Sequence, residues 1–151
     1  MPIKPLQFAA IVLVALYAVP GGAHLMELPN KMALDRDAYF TVQQIYRGWA
    51  LFGIVSIAGL IATSLLALRS RSQPKAYAFA AAGFGLLLLS LISFFVFVFP
   101  ANQATQNWTV VPADWETLRA RWEYAHAVNA TVVFAALLAV VVSALVWREE
   151  R

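Results

Sequence analysis

Apolar residues run along this chain in four long blocks, at about residues 7–26, 48–68, 76–99 and 122–147, with polar residues gathered between them. Each block reaches the roughly 20 helical residues needed to cross a hydrocarbon core. None alternates apolar with polar at period two, so helices are predicted rather than a closed barrel, the other structure that satisfies its backbone in lipid. The expectation is an all-α integral membrane protein: a single domain over residues 1–151, folded as an antiparallel up-down-up-down four-helix bundle. Two helices should overhang the bilayer. Asp35 or Asp37 can cap one that runs through Tyr39, Gln43, Tyr46 and Ala50 into the second block. Asp114 and Glu116, after Pro112, mark the start of another through the fourth. Together the overhangs are expected to wall a partly polar vestibule. Pro20-Gly21-Gly22 predicts a kink or local unwinding in the first helix.

Composition agrees with this class. Hydrophobic residues make up 62% of the chain and charged residues 13%, against about one-quarter charged in soluble domains. The net charge of +3 is spread over Lys4, Arg69, Arg71, Lys75, Arg148 and Arg151. All of these fall on one side of an up-down path, so the positive-inside rule places both termini in the cytoplasm, in what is expected to be a bacterial inner membrane. Basicity therefore reports topology, and no nucleic-acid partner is implied. Met1 ahead of the first block points to a retained span rather than a cleaved leader. The absence of cysteine excludes disulfides, thiolate nucleophiles and iron–sulfur clusters. Tyr46, Trp49, Trp108, Trp115 and Trp122 read as an interfacial belt at the outer boundary.

The chemistry concentrates in two short motifs, His24-x-x-Glu27 and Glu123-x-x-His126, which contain both histidines. Residues three apart share a helix face, and in this topology the two pairs lie at the same depth on the outward side. Arg119 and Asn129 continue the second stripe, whereas Arg121 faces away from it. Ionisable groups in or near a membrane cost about 3 kcal/mol each and face partners or cavities. Four readings follow. His24, Glu27, Glu123 and His126 offer nitrogen and oxygen ligands for a single transition metal such as iron, copper or zinc. A dinuclear carboxylate site would need inward glutamates that the second and third blocks lack. The two histidines could instead ligate haem b axially. A third reading needs no cofactor: a histidine or glutamate abstracts a proton from a carbon acid and an arginine stabilises the enolate, which reacts with dioxygen. A structural polar cluster in a non-enzymatic membrane subunit or small-molecule binder is the fourth.

The stretch Asp114-Trp115-x-x-Leu118-Arg119-x-Arg121-Trp122-Glu123-x-x-His126-x-x-Asn129, with Asn102 and Pro112 upstream and Gly21-Gly22-x-His24 and Pro29 in the first block, resembles the anthrone oxygenase-like family of small four-helix membrane proteins. That resemblance implies oxidation of a lipophilic, anthrone-like aromatic substrate by dioxygen, an oxidoreductase or monooxygenase activity. The positions that match the motif are His24, Arg119, Trp122, Glu123, His126 and Asn129; Glu27 rests on spacing. In the resulting expectation His126, Glu123, Arg119 and Asn129 are catalytic, with Arg119 holding an anionic oxygen. The partners are a lipophilic small molecule and membrane lipid, with a homo-oligomer left open.

Overall fold

The computed structural model describes residues 3–148, so Met1 and Arg151 lie outside the described residues. Six α-helices follow one another: α1 (Ile3–Met32), α2 (Arg36–Gln43), α3 (Phe52–Arg69), α4 (Pro74–Ser93), α5 (Phe99–Ala104) and α6 (Trp115–Leu145). There is no strand among the described residues. Four segments, Ile3–Met32, Trp49–Arg69, Pro74–Ala104 and Trp115–Leu145, are long and apolar enough to cross a membrane. Large side chains such as Phe8, Leu16, Val19, Ile54, Phe134 and Leu138 are exposed on the bundle's outside. In water that surface would associate; in a bilayer it is solvated by acyl chains. The chain is an integral membrane protein built as an all-α four-helix bundle.

In the bundle, α1 packs against α3 and α6, and α4 packs against the same two. Small residues set the closeness. A Cβ built on Gly83 of α4 falls 2.8 Å from Val140 Cγ2 and 3.3 Å from the Ala136 carbonyl oxygen of α6. One on Gly21 of α1 falls 3.2 Å from Ala130 Cα of α6. Polar ties cross between helices inside the apolar interior: the Tyr17 and Ser90 hydroxyls are hydrogen-bonded at 3.1 Å, and Ser143 donates to the Ala76 carbonyl at 2.8 Å. At one end, Gln73 and the Arg148 backbone bond reciprocally. Gly83→Leu is expected to lower unfolding stability by about 1–3 kcal/mol through overpacking, measured as the midpoint of unfolding in detergent, whereas Gly85→Leu, with open space at its Cβ, should be near neutral.

The elements depart from the sequence pattern in four places. α1 stays helical through Pro20 and Pro29, without the local unwinding anticipated at Pro20. Asp35 does cap α2, its Oδ1 accepting from Ala38 N at 2.9 Å, but the helix does not continue into the second span. It stops at Gln43, gives way to 3₁₀ turns at Gln44–Tyr46 and Trp49–Leu51, and breaks between them at Gly48, where φ is +89°. The third span widens to a π-helical turn at Phe94–Val98 before α5. Pro100 explains part of this: it has no N–H for the Val96 carbonyl, and Arg121 of α6 donates to that oxygen instead, with its guanidinium 5.5 Å from the Phe97 ring centre. Finally, the anticipated vestibule is filled. Tyr39, Phe40, Val98, Ala101, Trp108 and Trp122 form a buried aromatic cap at the end of the bundle that carries α2. Trp108 and Trp122 are therefore core residues of this cap and not parts of an interfacial belt.

Candidate functional site

Helix α1 carries His24, Glu27 and Lys31 at spacings of three and four, one face of a helix. Helix α6 carries Arg119, Trp122, Glu123, His126 and Asn129 on the face that meets it. The close approach of Gly21 to Ala130 fixes the register, one turn from each histidine. There the two imidazoles stack, with ring centres 4.1 Å apart and planes inclined by 30°. Trp122 stands edge-on to both, at 4.9 Å from His24 and 4.2 Å from His126. Tyr46, in the 3₁₀ turn after α2, lies 4.6 Å from His24.

Beside this ring stack is a buried ion pair. Lys31 Nζ lies 2.6 Å from Glu123 Oε1, and the two side chains are 4% and 0% exposed. The same ammonium donates to Gln43 Oε1 at 3.2 Å and to the Tyr46 hydroxyl at 3.1 Å. It also sits 4.5 Å from the Tyr46 ring centre and 4.6 Å from that of Trp122. Tyr39 donates to Glu123 Oε1 at 2.8 Å and accepts from Gln43 Nε2 at 2.5 Å. Tyr46 donates to Glu27 Oε2. Burial first, and then the Glu123 carboxylate, pushes the Tyr39 phenol well above the usual tyrosine range. Burial, followed by the Glu27 carboxylate that accepts its proton, does the same for Tyr46. Both are therefore O–H donors at neutral pH.

Three buried polar atoms near this centre lack a hydrogen-bond partner: His24 Nδ1, Glu123 Oε2 and Asn129 Oδ1. Unsatisfied groups of this kind are uncommon in native interiors and call for an explanation. The imidazole nitrogen is a free acceptor or donor, and the second carboxylate oxygen is a free acceptor.

The structure brings together five sequence candidates, His24, Glu27, Glu123, His126 and Asn129, at one end of the α1–α6 interface. It does not make them a metal centre. Among the described residues, no three of His, Cys, Asp and Glu form a metal-holding group. The physical reason is Lys31: a cation already occupies the Glu123 carboxylate, while Glu27 accepts from Tyr46 instead of turning to the histidines. Haem b fits no better, because two imidazoles stacked face to face leave no room for a macrocycle between them. Of the expected ligand set His24, Glu27, Glu123 and His126, Glu123 is engaged by Lys31 and Glu27 by Tyr46, while the two histidines stack on each other.

Arg119 also lands elsewhere. Its Nη1 donates to the Leu34 carbonyl at 2.8 Å and its guanidinium stacks 4.7 Å from the Trp115 ring centre. It braces the aromatic cap, and the cation at the centre is Lys31. Arg121 lies off the stripe, as its helical position anticipates. Three residues of the site carry no clear signal in the sequence: Lys31, Tyr39 and Gln43. Lys31 resembles a connection charge, although its i+4 spacing from Glu27 is a hint. Asn102 Oδ1 accepts from the indole N–H of Trp122 at 2.8 Å and of Trp108 at 3.2 Å, which holds Trp122 in place against the histidines. Trp108 reaches it through three consecutive left-handed residues, Gln106, Asn107 and Trp108, at φ of 47°, 55° and 65°. Such conformations cost about 1–2 kcal/mol each for non-glycine residues, which burial of the indole offsets.

The site thus defines a class: a membrane four-helix bundle with a buried Lys31–Glu123 pair beside two stacked histidines at one end. No family model matches the chain, and neither the curated proteins nor the solved structures yield a match.

Proposed function

We propose that this protein is a membrane oxidoreductase, oxygenase-like, that acts with dioxygen on a lipophilic aromatic carbon acid of the anthrone type, by acid–base chemistry. The observation that carries the reading is that an unpartnered imidazole nitrogen, His24 Nδ1, and the Lys31 ammonium share the same two aromatic walls, Tyr46 and Trp122. A base and a fixed positive charge facing one aromatic slot are what enolate formation requires. In this scheme His24 takes a proton from the activated CH₂, His126 backs the imidazole, and Lys31 stabilises the enolate oxygen. Glu123 and Tyr39 orient Lys31. The enolate gives its electrons to dioxygen, a C–O bond forms, and the protonated hydroperoxide loses water to leave a ketone. The balance is CH₂ plus O₂ giving C=O plus H₂O, with no other oxidant. The resemblance of the α6 motif to anthrone oxygenase-like proteins supports the same substrate class, and the basic connections support cytoplasmic termini in a bacterial inner membrane.

One observation favours a second reading. Lys31 spends its donors on Glu123, Gln43 and Tyr46, as in a purely structural tie. Anaerobic deuterium exchange separates the two. Purified protein in nanodiscs, under argon, is expected to exchange the acidic CH₂ protons of an anthrone, and in air to turn it into the quinone. His24→Ala and His126→Ala, if folded, should lower both rates about 10²–10⁴-fold. Folded variants with unchanged exchange would leave only the structural tie.

A further inference from the structure

Of the two imidazoles, His24 is closed in, at 4% exposed, and His126 is half-buried. A substrate reaches His24 only if a side chain that covers it moves, and two of those side chains, Tyr46 and Trp49, come from the segment between α2 and α3. Between α2 and α3 the chain passes through two separate 3₁₀ turns joined at Gly48, whose φ of +89° has no regular helix on either side to continue it. Space does not require glycine there, since a Cβ would meet nothing within 4 Å; the backbone turn does. Along this segment Ile45, Arg47, Gly48, Ala50 and Leu51 are exposed, while Tyr46 and Trp49 turn inward. Trp49 lies 5.7 Å from His24 and 4.9 Å from Tyr46. The segment is thus tied to the site by two aromatic side chains on a jointed strap.

Tyr46 is also chemically specific. Its ring faces His24 and Lys31, its hydroxyl donates a hydrogen bond to the Glu27 carboxylate, and that hydroxyl accepts from the Lys31 ammonium. A carboxylate acceptor and an ammonium donor converging on one oxygen, with aromatic walls around the ring, is a seat for a phenol. Here a phenol of the protein fills it. We propose that Tyr46 is a displaceable occupant of a phenol-binding seat, and that the ligand of this site is a planar phenol that takes its place when the strap swings about Gly48. This rests on the reading that substrate binds between Lys31 and His24, and it adds the phenolic hydroxyl as the recognised group.

Because Tyr46 and the ligand compete for the same two partners, removing only the tyrosine hydroxyl should help the ligand. The test uses 1-naphthol, which carries no anthrone-type CH₂, and its methyl ether as control, titrated calorimetrically against protein in detergent. Tyr46→Phe is expected to bind 1-naphthol about tenfold more tightly than the unsubstituted protein, the hydroxyl competition being a charge-assisted hydrogen bond. The methyl ether should show no such gain, and Tyr46→Phe/Glu27→Gln should lose it. A Tyr46→Phe protein that binds naphthol no tighter, or that gains equally for the ether, overturns the proposal. Should that variant not fold, 3-fluorotyrosine labelling of the unsubstituted protein decides. The chain has five tyrosines, and the Tyr46 fluorine signal is expected to move with naphthol and not with the ether; an unmoved signal overturns the proposal. Turnover of an anthrone without the binding gain removes the seat and keeps the reaction. The gain without turnover removes the reaction and keeps the seat.

Discussion

Lys31→Met is expected to cost about 3–5 kcal/mol of unfolding free energy. The magnitude follows from what remains behind. Glu123 is fully buried, its Oε2 already lacks a partner, and its Oε1 would keep only the Tyr39 hydroxyl. An uncompensated buried carboxylate carries a penalty of that order. Glu123→Leu should do comparable harm by stranding the ammonium. Removing both charges is a different matter, because an apolar pair of similar volume avoids both desolvation penalties. Lys31→Met/Glu123→Leu is therefore expected to recover most of the stability lost by either single change. Thermal or denaturant unfolding of the four proteins in one detergent gives the coupling directly. The recovered double variant should also turn over no anthrone, which separates the electrostatic role of the pair from its role in holding the fold. If each single change costs under about 1 kcal/mol, the range of an exposed pair, the pair is not buried as described.

The second large effect is expected at Asn102, which touches neither the ion pair nor the histidines. Its Oδ1 takes both the Trp122 and Trp108 indole N–H groups. Asn102→Leu removes that acceptor and leaves two donors in an apolar cap, at about 1–3 kcal/mol for each one left unsatisfied. The strained turn at Gln106, Asn107 and Trp108 loses its anchor at the same time. We expect a loss of stability of about 2–4 kcal/mol, the lower part of the range of about 2–6 kcal/mol that two such donors give, together with a red-shifted tryptophan emission as Trp108 leaves the cap. Trp122 walls the imidazole stack, so turnover should fall as well. Asn102→Asp keeps an acceptor oxygen and is expected to retain the emission spectrum. A Leu variant with unaltered emission and melting would mean that the indoles are held by packing alone.

The four spans are legible in the sequence because lipid imposes one rule on them: about 20 apolar residues in helical form. Two of their ends are less so, since polar residues carry α1 and the third span past their apolar blocks, to Met32 and Ala104. The first block ends near Met26 by hydropathy, but α1 runs to Met32 because Lys31 points into the protein toward Glu123. A buried lysine looks identical in sequence to one in a solvated connection; only its distant partner distinguishes them. The convergence of His24 with His126 is legible, since equal depth and antiparallel helices suffice for it. Their chemistry is less so. Ligand counting favours a metal, and the competing cation comes from a residue that reads as part of a connection. The break at Gly48 is hidden for another reason. Tyr39, Gln43 and Tyr46 keep helical spacing up to it, and a single glycine after Arg47 gives no reading of φ.

Everything at the site depends on α1 and α6 meeting in one register, and the absence of native cysteine makes that register directly measurable. A Cβ at position 21 lies 3.5 Å from the Ala130 Cβ, inside the span a disulfide bridges, whereas one at position 22 meets nothing within 4 Å. Gly21→Cys/Ala130→Cys, oxidised in native membranes, is expected to form an intramolecular bond detected as faster migration on a denaturing gel, with the two helix backbones easing slightly apart to admit it. Gly22→Cys/Ala130→Cys is expected to stay reduced under the same conditions. Efficient bonding of the second pair and none of the first would put the two histidines on different faces, and the ion pair, the phenol seat and the proposed reaction would all be contradicted together.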